Sequence, residues 1–141
     1  AQNDVDYLLA QNEIAIGSDG SCYPLAEEAN EGKLHPRNFG TFPRFLRLCR
    51  ENNWCDLATA VHRMTGMSAG IIGLTDRGLL KEGKIADITV FDPKNITDKA
   101  TYQEPFQKPE GIVHVIMNGQ FALYDGKQTD KRLGSIILKN R

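Results

Sequence analysis

The stretch EIAIGSDGS, Glu13 to Ser21, sets an aspartate where a short apolar run gives way to glycine. Ile14, Ala15 and Ile16 have the character of a buried strand, so a strand is expected over Glu13 to Ser18. Gly17 and Gly20 bracket Ser18 and Asp19. An aspartate beside glycine is an ordinary turn former, because it tolerates unusual backbone angles and bonds its own backbone. The same residue at the end of a strand can also be a carboxylate held at the mouth of a site. The stretch alone leaves both readings open.

Working outward, Asn3 or Asp4 can cap a short helix running through Asn12, with Val5, Leu8 and Leu9 on one face. Ser21 to Arg37 reads as a polar, irregular loop with an acidic patch at Glu27, Glu28 and Glu31. Thr41 can cap the next helix, with Pro43 in its first turn. Phe42, Phe45, Leu46 and Cys49 recur at helical spacing there, and Arg44, Arg47, Arg50 and Glu51 mark the wet side. Asp56 can cap a further helix with Leu57, Ala60, Val61 and Met64 as its apolar stripe, and Gly66 is expected to stop it. Ser68 can cap one more short turn, ended by Gly73.

After Thr75 the period changes. Gly78 and Gly83 punctuate a turn region, and KIADITVFDP, Lys84 to Pro93, is strand-like. Ile88 and Val90 share one face of that strand, Thr89 and Phe91 the other. IVHVIMNGQFALYDG, Ile112 to Gly126, holds two β-rich runs joined by Asn118-Gly119. Asn-Gly supplies the positive φ angles of a tight hairpin turn. Gly134 to Leu138 is expected to add a last short strand. The order is helix, strand, helices, then strands: an α/β unit followed by part of a small β-sheet. Two or three strands and a hairpin cannot bury both faces without further partners, so the segment reads as incomplete.

Bulk properties narrow the function classes. The 141 residues suit one domain or a substantial piece of a larger one. At 40% hydrophobic and 25% charged residues, the chain can bury a core. Seventeen Lys and Arg against 18 Asp and Glu create no basic field, so a nucleic-acid partner is not expected. No apolar run is long enough to cross a bilayer, and no membrane partner is expected. Ala1-Gln2-Asn3-Asp4 shows neither an initiator Met nor a signal peptide, which fits a fragment or a trimmed product. Cys22, Cys49 and Cys55 include no C-x-x-C pair and read as reduced thiols in a cytoplasmic protein, with Cys49 in the core. His35, His62 and His114 are far apart, in no metal-ligand pattern, and each alone favours a structural or surface role. No complete metal site is expected within the chain.

Several stretches together resemble one family. IGSDG, HPRNFGTFPRFL, AVHRMTGMSAGIIGLTDRGLLKEGKIADITVFDP and VIMNGQ occur in this order. They are similar to the C-terminal portion of the D-aminoacylases, N-acyl-D-amino-acid deacylases of the amidohydrolase superfamily. The similarity runs from about Asp4 to the C-terminus. GSDG followed by HPR and GTFPR is its most specific part, whereas Gly78 to Asp92 follows a pattern common across the superfamily. Ser21 to Leu34 matches less well, and nothing is carried over to it.

The resemblance implies a metal-dependent (β/α)8 TIM barrel and a small β-sandwich. Residues 1–74 would be the last barrel strand and closing helices, with Glu13 to Ser18 as the eighth strand. Residues 75–141 would be part of the sandwich. A whole barrel needs roughly 250 residues, more than this chain has. The family's metal-ligand histidines and cysteine lie on earlier strands, so zinc is implied for the parent enzyme and none is expected on this fragment alone. Asp19 is then implied to be the proton carrier of amide hydrolysis and a candidate metal contact. Ser18 and Gly20 would be small residues that let substrate approach. Arg37, in the HPR stretch, could face a substrate carboxylate, since its planar fork pairs with one bidentately. A surface arginine bracing the loop is an equal reading, and Arg44 shares the ambiguity.

The implied partners are a small-molecule N-acyl-D-amino acid and either the rest of the barrel or a second copy of the chain. Two alternatives stay open: another amidohydrolase such as a D-hydantoinase, and a non-catalytic standalone protein acting in binding or assembly. The preferred D-amino acid, the acyl group and the oligomeric state are not legible.

Overall fold

A computed structural model describes residues 2–25, 32 and 34–137. The chain opens with helix α1, Gln2–Leu9. It ends earlier than the expected Asn12. Val5 and Leu8 on its apolar face are about half exposed, at 48% and 50%, while Leu9 packs against the core. Helix α2 is Arg37–Asn52, α3 is Leu57–Met64 and α4 is Gly66–Ile72. Four strands follow: β1, Ile88–Phe91; β2, Ile112–Met117; β3, Gln120–Tyr124; and β4, Lys127–Gln128.

Several helix boundaries differ from expectation, each for a local reason. Helix α2 begins at Arg37, because Pro36 occupies the cap and its carbonyl accepts the Phe39 and Gly40 amides at 3.0 and 3.1 Å. Thr41 therefore lies inside the helix and does not cap it; its hydroxyl donates back to the Arg37 carbonyl at 2.9 Å. Pro43 is likewise interior. Asn53, in the left-handed conformation at φ 53°, closes α2. The Asp56 carboxylate caps α3 as expected, accepting the Thr59 amide at 2.7 Å. Gly66 does not stop α3. The helix ends at Met64, and Gly66 is the first residue of α4, with Thr65 between the two. Ser68 is inside α4 and caps nothing, and Gly73 ends that helix at φ 78°.

The sheet is antiparallel throughout, in the order β1-β2-β3-β4. Asn118 and Gly119, at φ 47° and 77°, make the expected hairpin turn. A second tight turn at Asp125-Gly126, φ 48° and 70°, leads into β4, a strand the sequence reading did not include. The face alternation expected of β1 is broken: the pairing with β2 shifts register between Val90 and Phe91. As a result Ile88 and Phe91 are both half-buried while Val90 is exposed. No strand forms over residues 134–137; Leu138 lies outside the described residues, as do Glu27, Glu28 and Glu31.

The expected strand over Glu13 to Ser18 is not one. The segment belongs to no sheet, because among the described residues no second strand lies beside it. Its backbone bonds go elsewhere. The Ile16 amide donates to the Arg63 carbonyl at 3.0 Å. Ile16 itself is buried, in a core it shares with Phe45, Leu46, Cys49, Ala60 and Ile96. Phe91 and Ile112 pack on the same cluster, so one core joins helices and sheet. Within it, the Cys49 and Cys55 sulfurs are 3.4 Å apart. Burial, reinforced by the bond to Cys55, pushes the Cys49 thiol up to about 12, so it stays protonated and inert, as a core thiol should.

Candidate active site

Of the two readings the sequence left open for Asp19, the structure shows the turn former. It is a turn residue, with φ 47°, in the left-handed region that aspartate reaches more readily than most residues. It also stands at the end of the extended segment with its carboxylate outward, 87% exposed and 3.1 Å from Nη1 of Arg37. The turn is built from short-range bonds. The Ser18 hydroxyl accepts the Gly20 amide at 3.2 Å, and Oδ1 of Asn38 accepts the Ser21 amide at 2.9 Å. Gly20 is needed because a Cβ there would lie 2.9 Å from that Asn38 oxygen. Ser18 and Gly20 are thus parts of the turn that presents Asp19.

The HPR stretch supplies the opposite wall. His35 bonds at both ring nitrogens: Nδ1 accepts the Arg37 amide at 3.0 Å, and Nε2 is 3.1 Å from the Tyr102 hydroxyl. Because Nδ1 accepts a backbone N–H, the proton of the neutral ring sits on Nε2 and points at Tyr102. The His35 carbonyl accepts the Asn38 side-chain amide at 3.1 Å, so one asparagine ties the Asp19 turn to the HPR turn. Gly17, Arg37 and Tyr102 line an open groove of about 1010 Å³. Asp98, on the loop that carries Tyr102, anchors that loop to α2. Its carboxylate takes Nε of Arg47 at 3.1 Å, with Arg44 at 3.9 Å. Burial alone would lower the Arg47 pKa, but its bonds to Asp98 and Glu51 outweigh that and raise it. Arg44 is therefore a structural partner of Asp98, and Arg37 is the cation that faces Asp19.

Metal chemistry is not complete here. Among the described residues no group of three His, Cys, Asp or Glu side chains could hold a metal ion. Both nitrogens of His35 are engaged, and Cys22 is exposed and bonded to no other cysteine. The described residues do not make a zinc site by themselves. Asn38, Tyr102 and Asp98 were not singled out from the sequence. Asn38 lies next to the HPR stretch, and only that adjacency could have pointed to it.

The amidohydrolase family profile matches residues 22–122. The chain belongs to the amidohydrolase family. Within it, the chain matches a portion of the D-aminoacylases. An N-acyl-D-aspartate deacylase of Alcaligenes xylosoxydans xylosoxydans is 40% identical over 138 residues, covering 96% of this chain and 26% of that protein. A solved structure of D-aminoacylase, studied for its binuclear metal centre, superimposes with a TM-score of 0.84 at 37% identity, over 95% of this chain and 27% of the other. An N-acyl-D-glutamate deacylase of Bordetella bronchiseptica, complexed with zinc and a phosphonate mimic of the tetrahedral intermediate, gives a TM-score of 0.76 at 34% identity, over 91% of this chain and 27% of that one. This amidohydrolase chain thus spans about a quarter of the length of the relatives it matches. No helix among its described residues is long and apolar enough to cross a membrane.

Proposed function

We propose that this chain is the C-terminal portion of a zinc-dependent N-acyl-D-amino-acid deacylase. Residues 1–74 supply the last strand and closing helices of a barrel, and residues 75–141 part of a small β-sandwich. In the whole enzyme Glu13 to Ser18 pairs with the preceding barrel strand on the side away from Arg63 and Ser68. The metal ligands come from outside these residues, with Asp19 as their one contact here. The 141 residues alone are expected to be inactive. The three unpaired thiols suit a reducing compartment such as the cytoplasm.

The observation that carries this reading is the Asp19 turn: an outward carboxylate at the end of the extended segment, 3.1 Å from Arg37, which lines the groove. Asp19 accepts a proton from the water that attacks the acyl carbon. It then delivers that proton to the departing nitrogen, because an amide nitrogen leaves poorly unless protonated. The carbon–nitrogen bond breaks, releasing a carboxylic acid and a free D-amino acid. Arg37 meets Asp19 through Nη1 as an ion pair, and a guanidinium carries N–H donors on two other nitrogens. Those are available to a substrate carboxylate across the groove, which favours an N-acyl amino acid over a neutral amide.

In the full-length protein, Asp19→Asn is expected to lower kcat ~10²–10⁴-fold, the usual contribution of a positioned acid/base, with bound metal unchanged. Arg37→Met is expected to act mainly on KM. Turnover of N-acetyl-D-amino acids by Asp19→Asn at the wild-type rate overturns the role. Faster hydrolysis of hydantoins than of N-acetyl-D-amino acids overturns the substrate class.

A further inference from the structure

Arg63 is fully buried, at 0% exposure. Its guanidinium lies over the Phe45 ring, 4.7 Å from the centroid. Nε donates to the Ile14 carbonyl and Nη1 to the Leu9 carbonyl, each at 2.8 Å. Nη2 is buried with no partner among the described residues, and no carboxylate there pairs with the cation. A buried charge without a counter-ion destabilises a fold relative to a well-packed apolar side chain. It must therefore do something an apolar residue cannot.

What it does is visible in its partners. The Arg63 main-chain carbonyl accepts the Ile16 amide at 3.0 Å. The Ser68 hydroxyl is 3.1 Å from that same carbonyl and 3.4 Å from the carbonyl of Ile16. Residues 63 and 68 thus take the place of a neighbouring strand for Ile14 and Ile16. They fix the height and twist of a segment that ends, three residues later, at Asp19.

We propose that Arg63, with Ser68, is a positioning residue for the Asp19 carboxylate, acting through the backbone of Ile14 and Ile16. The inference rests on Asp19 being the proton carrier. A displacement on the order of 1 Å at a reacting group can cost ~10²-fold in rate. In the full-length enzyme, Arg63→Met keeps the apolar stem and removes the donors. It is expected to lower kcat about 10–100-fold with KM nearly unchanged. Arg63→Lys, which can still reach one carbonyl, recovers part of the loss. Ser68→Ala gives a smaller fall in kcat.

Each variant is compared at a temperature below its own Tm, so that loss of folded protein is not read as loss of rate. Wild-type kcat in folded Arg63→Met overturns the inference, as does a fall in KM and kcat that Arg63→Lys does not relieve. If Arg63→Met does not fold, Arg63→Lys and Ser68→Ala decide: reduced kcat at unchanged KM supports the role, and wild-type kcat in both overturns it. Asp19→Asn separates the two claims. If Asp19→Asn is active, the functional reading fails. If it is inactive while Arg63→Met turns over normally, only the positioning role fails.

Discussion

The Asp19 segment and the sheet are both extended chain, yet they are held in opposite ways. Strands β1 to β4 satisfy one another through a backbone ladder, with two-residue turns at Asn118-Gly119 and Asp125-Gly126 joining β2 to β3 and β3 to β4. Ile14 to Ser21 has no such ladder among the described residues. Its long-range partners are the Arg63 guanidinium and carbonyl, the Ser68 hydroxyl and the Asn38 side chain, from 17 to 52 positions away along the chain. A ladder between neighbouring strands places backbone regardless of side-chain identity. A segment held by a few distant side chains can be placed accurately, but each of those side chains becomes indispensable. That is suitable for presenting one carboxylate.

The comparison can be broken most strongly at Phe45. Its ring is 2% exposed and carries Arg63 on its face. Phe45→Ala is expected to destabilise the chain by about 3–5 kcal/mol, as large core truncations do. Hydrogen exchange then distinguishes the two regions: amides of Ile14 to Ile16 should lose protection well before those of β2 and β3. Equal loss in both would mean that the sheet depends on the same support.

Gly111 tests the other side. It sits at φ 87°, and a Cβ there would lie 2.6 Å from the Ile96 backbone. Its carbonyl accepts the Asp92 amide at 2.8 Å, beside the register shift of β1. Gly111→Ala is expected to cost at least about 1–3 kcal/mol from backbone strain alone. Thermal melts would report that loss, while the Asp19 segment keeps its exchange protection.

The smallest effect is acid sensitivity, at Asp56 before α3 and at Asp92 in the turn after β1. Asp56 is held below the ordinary aspartate value of 3.8 by the Thr59 amide that it caps. Asp92 is held below it first by the Asn95 side chain and then by the Lys94 amide. A carboxylate whose folded pKa is depressed stabilises the fold above its unfolded pKa, and that contribution is lost as pH falls through the folded value. Tm should therefore decline as pH drops through the acid range below 3.8. Asp56→Asn keeps a cap but cannot titrate, so its acid limb should be shallower. An unchanged limb would remove Asp56 from the account.

Much of this was legible in the sequence. Asp56 acts through a bond to a residue three positions on, and Asn118-Gly119 through its own positive φ angles, so local chemistry announces both. The second turn at Asp125-Gly126 carried the same signal, although β4 beyond it was not expected. Thr41 and Gly66 misled because each is a frequent cap or stop, while Pro36 and Thr65 already filled those places. The motif residues Ser18, Asp19, Gly20 and Arg37 do come together. Asn38, Tyr102, Asp98 and Arg63, which brace them, bore no mark.

The sequence by itself determined the short-range features: where most helices lie, the first hairpin, the apolar faces of α2 and α3, and the aspartate turn after Ile16. Only the tertiary structure decided which distant side chains replace a strand beside Ile14 and Ile16, and that Arg37 rather than Arg44 meets Asp19. The reason is physical. Turns and caps are set by dihedral preferences and bonds a few residues long, whereas a buried arginine finds its carbonyls only after the core around Phe45 has closed.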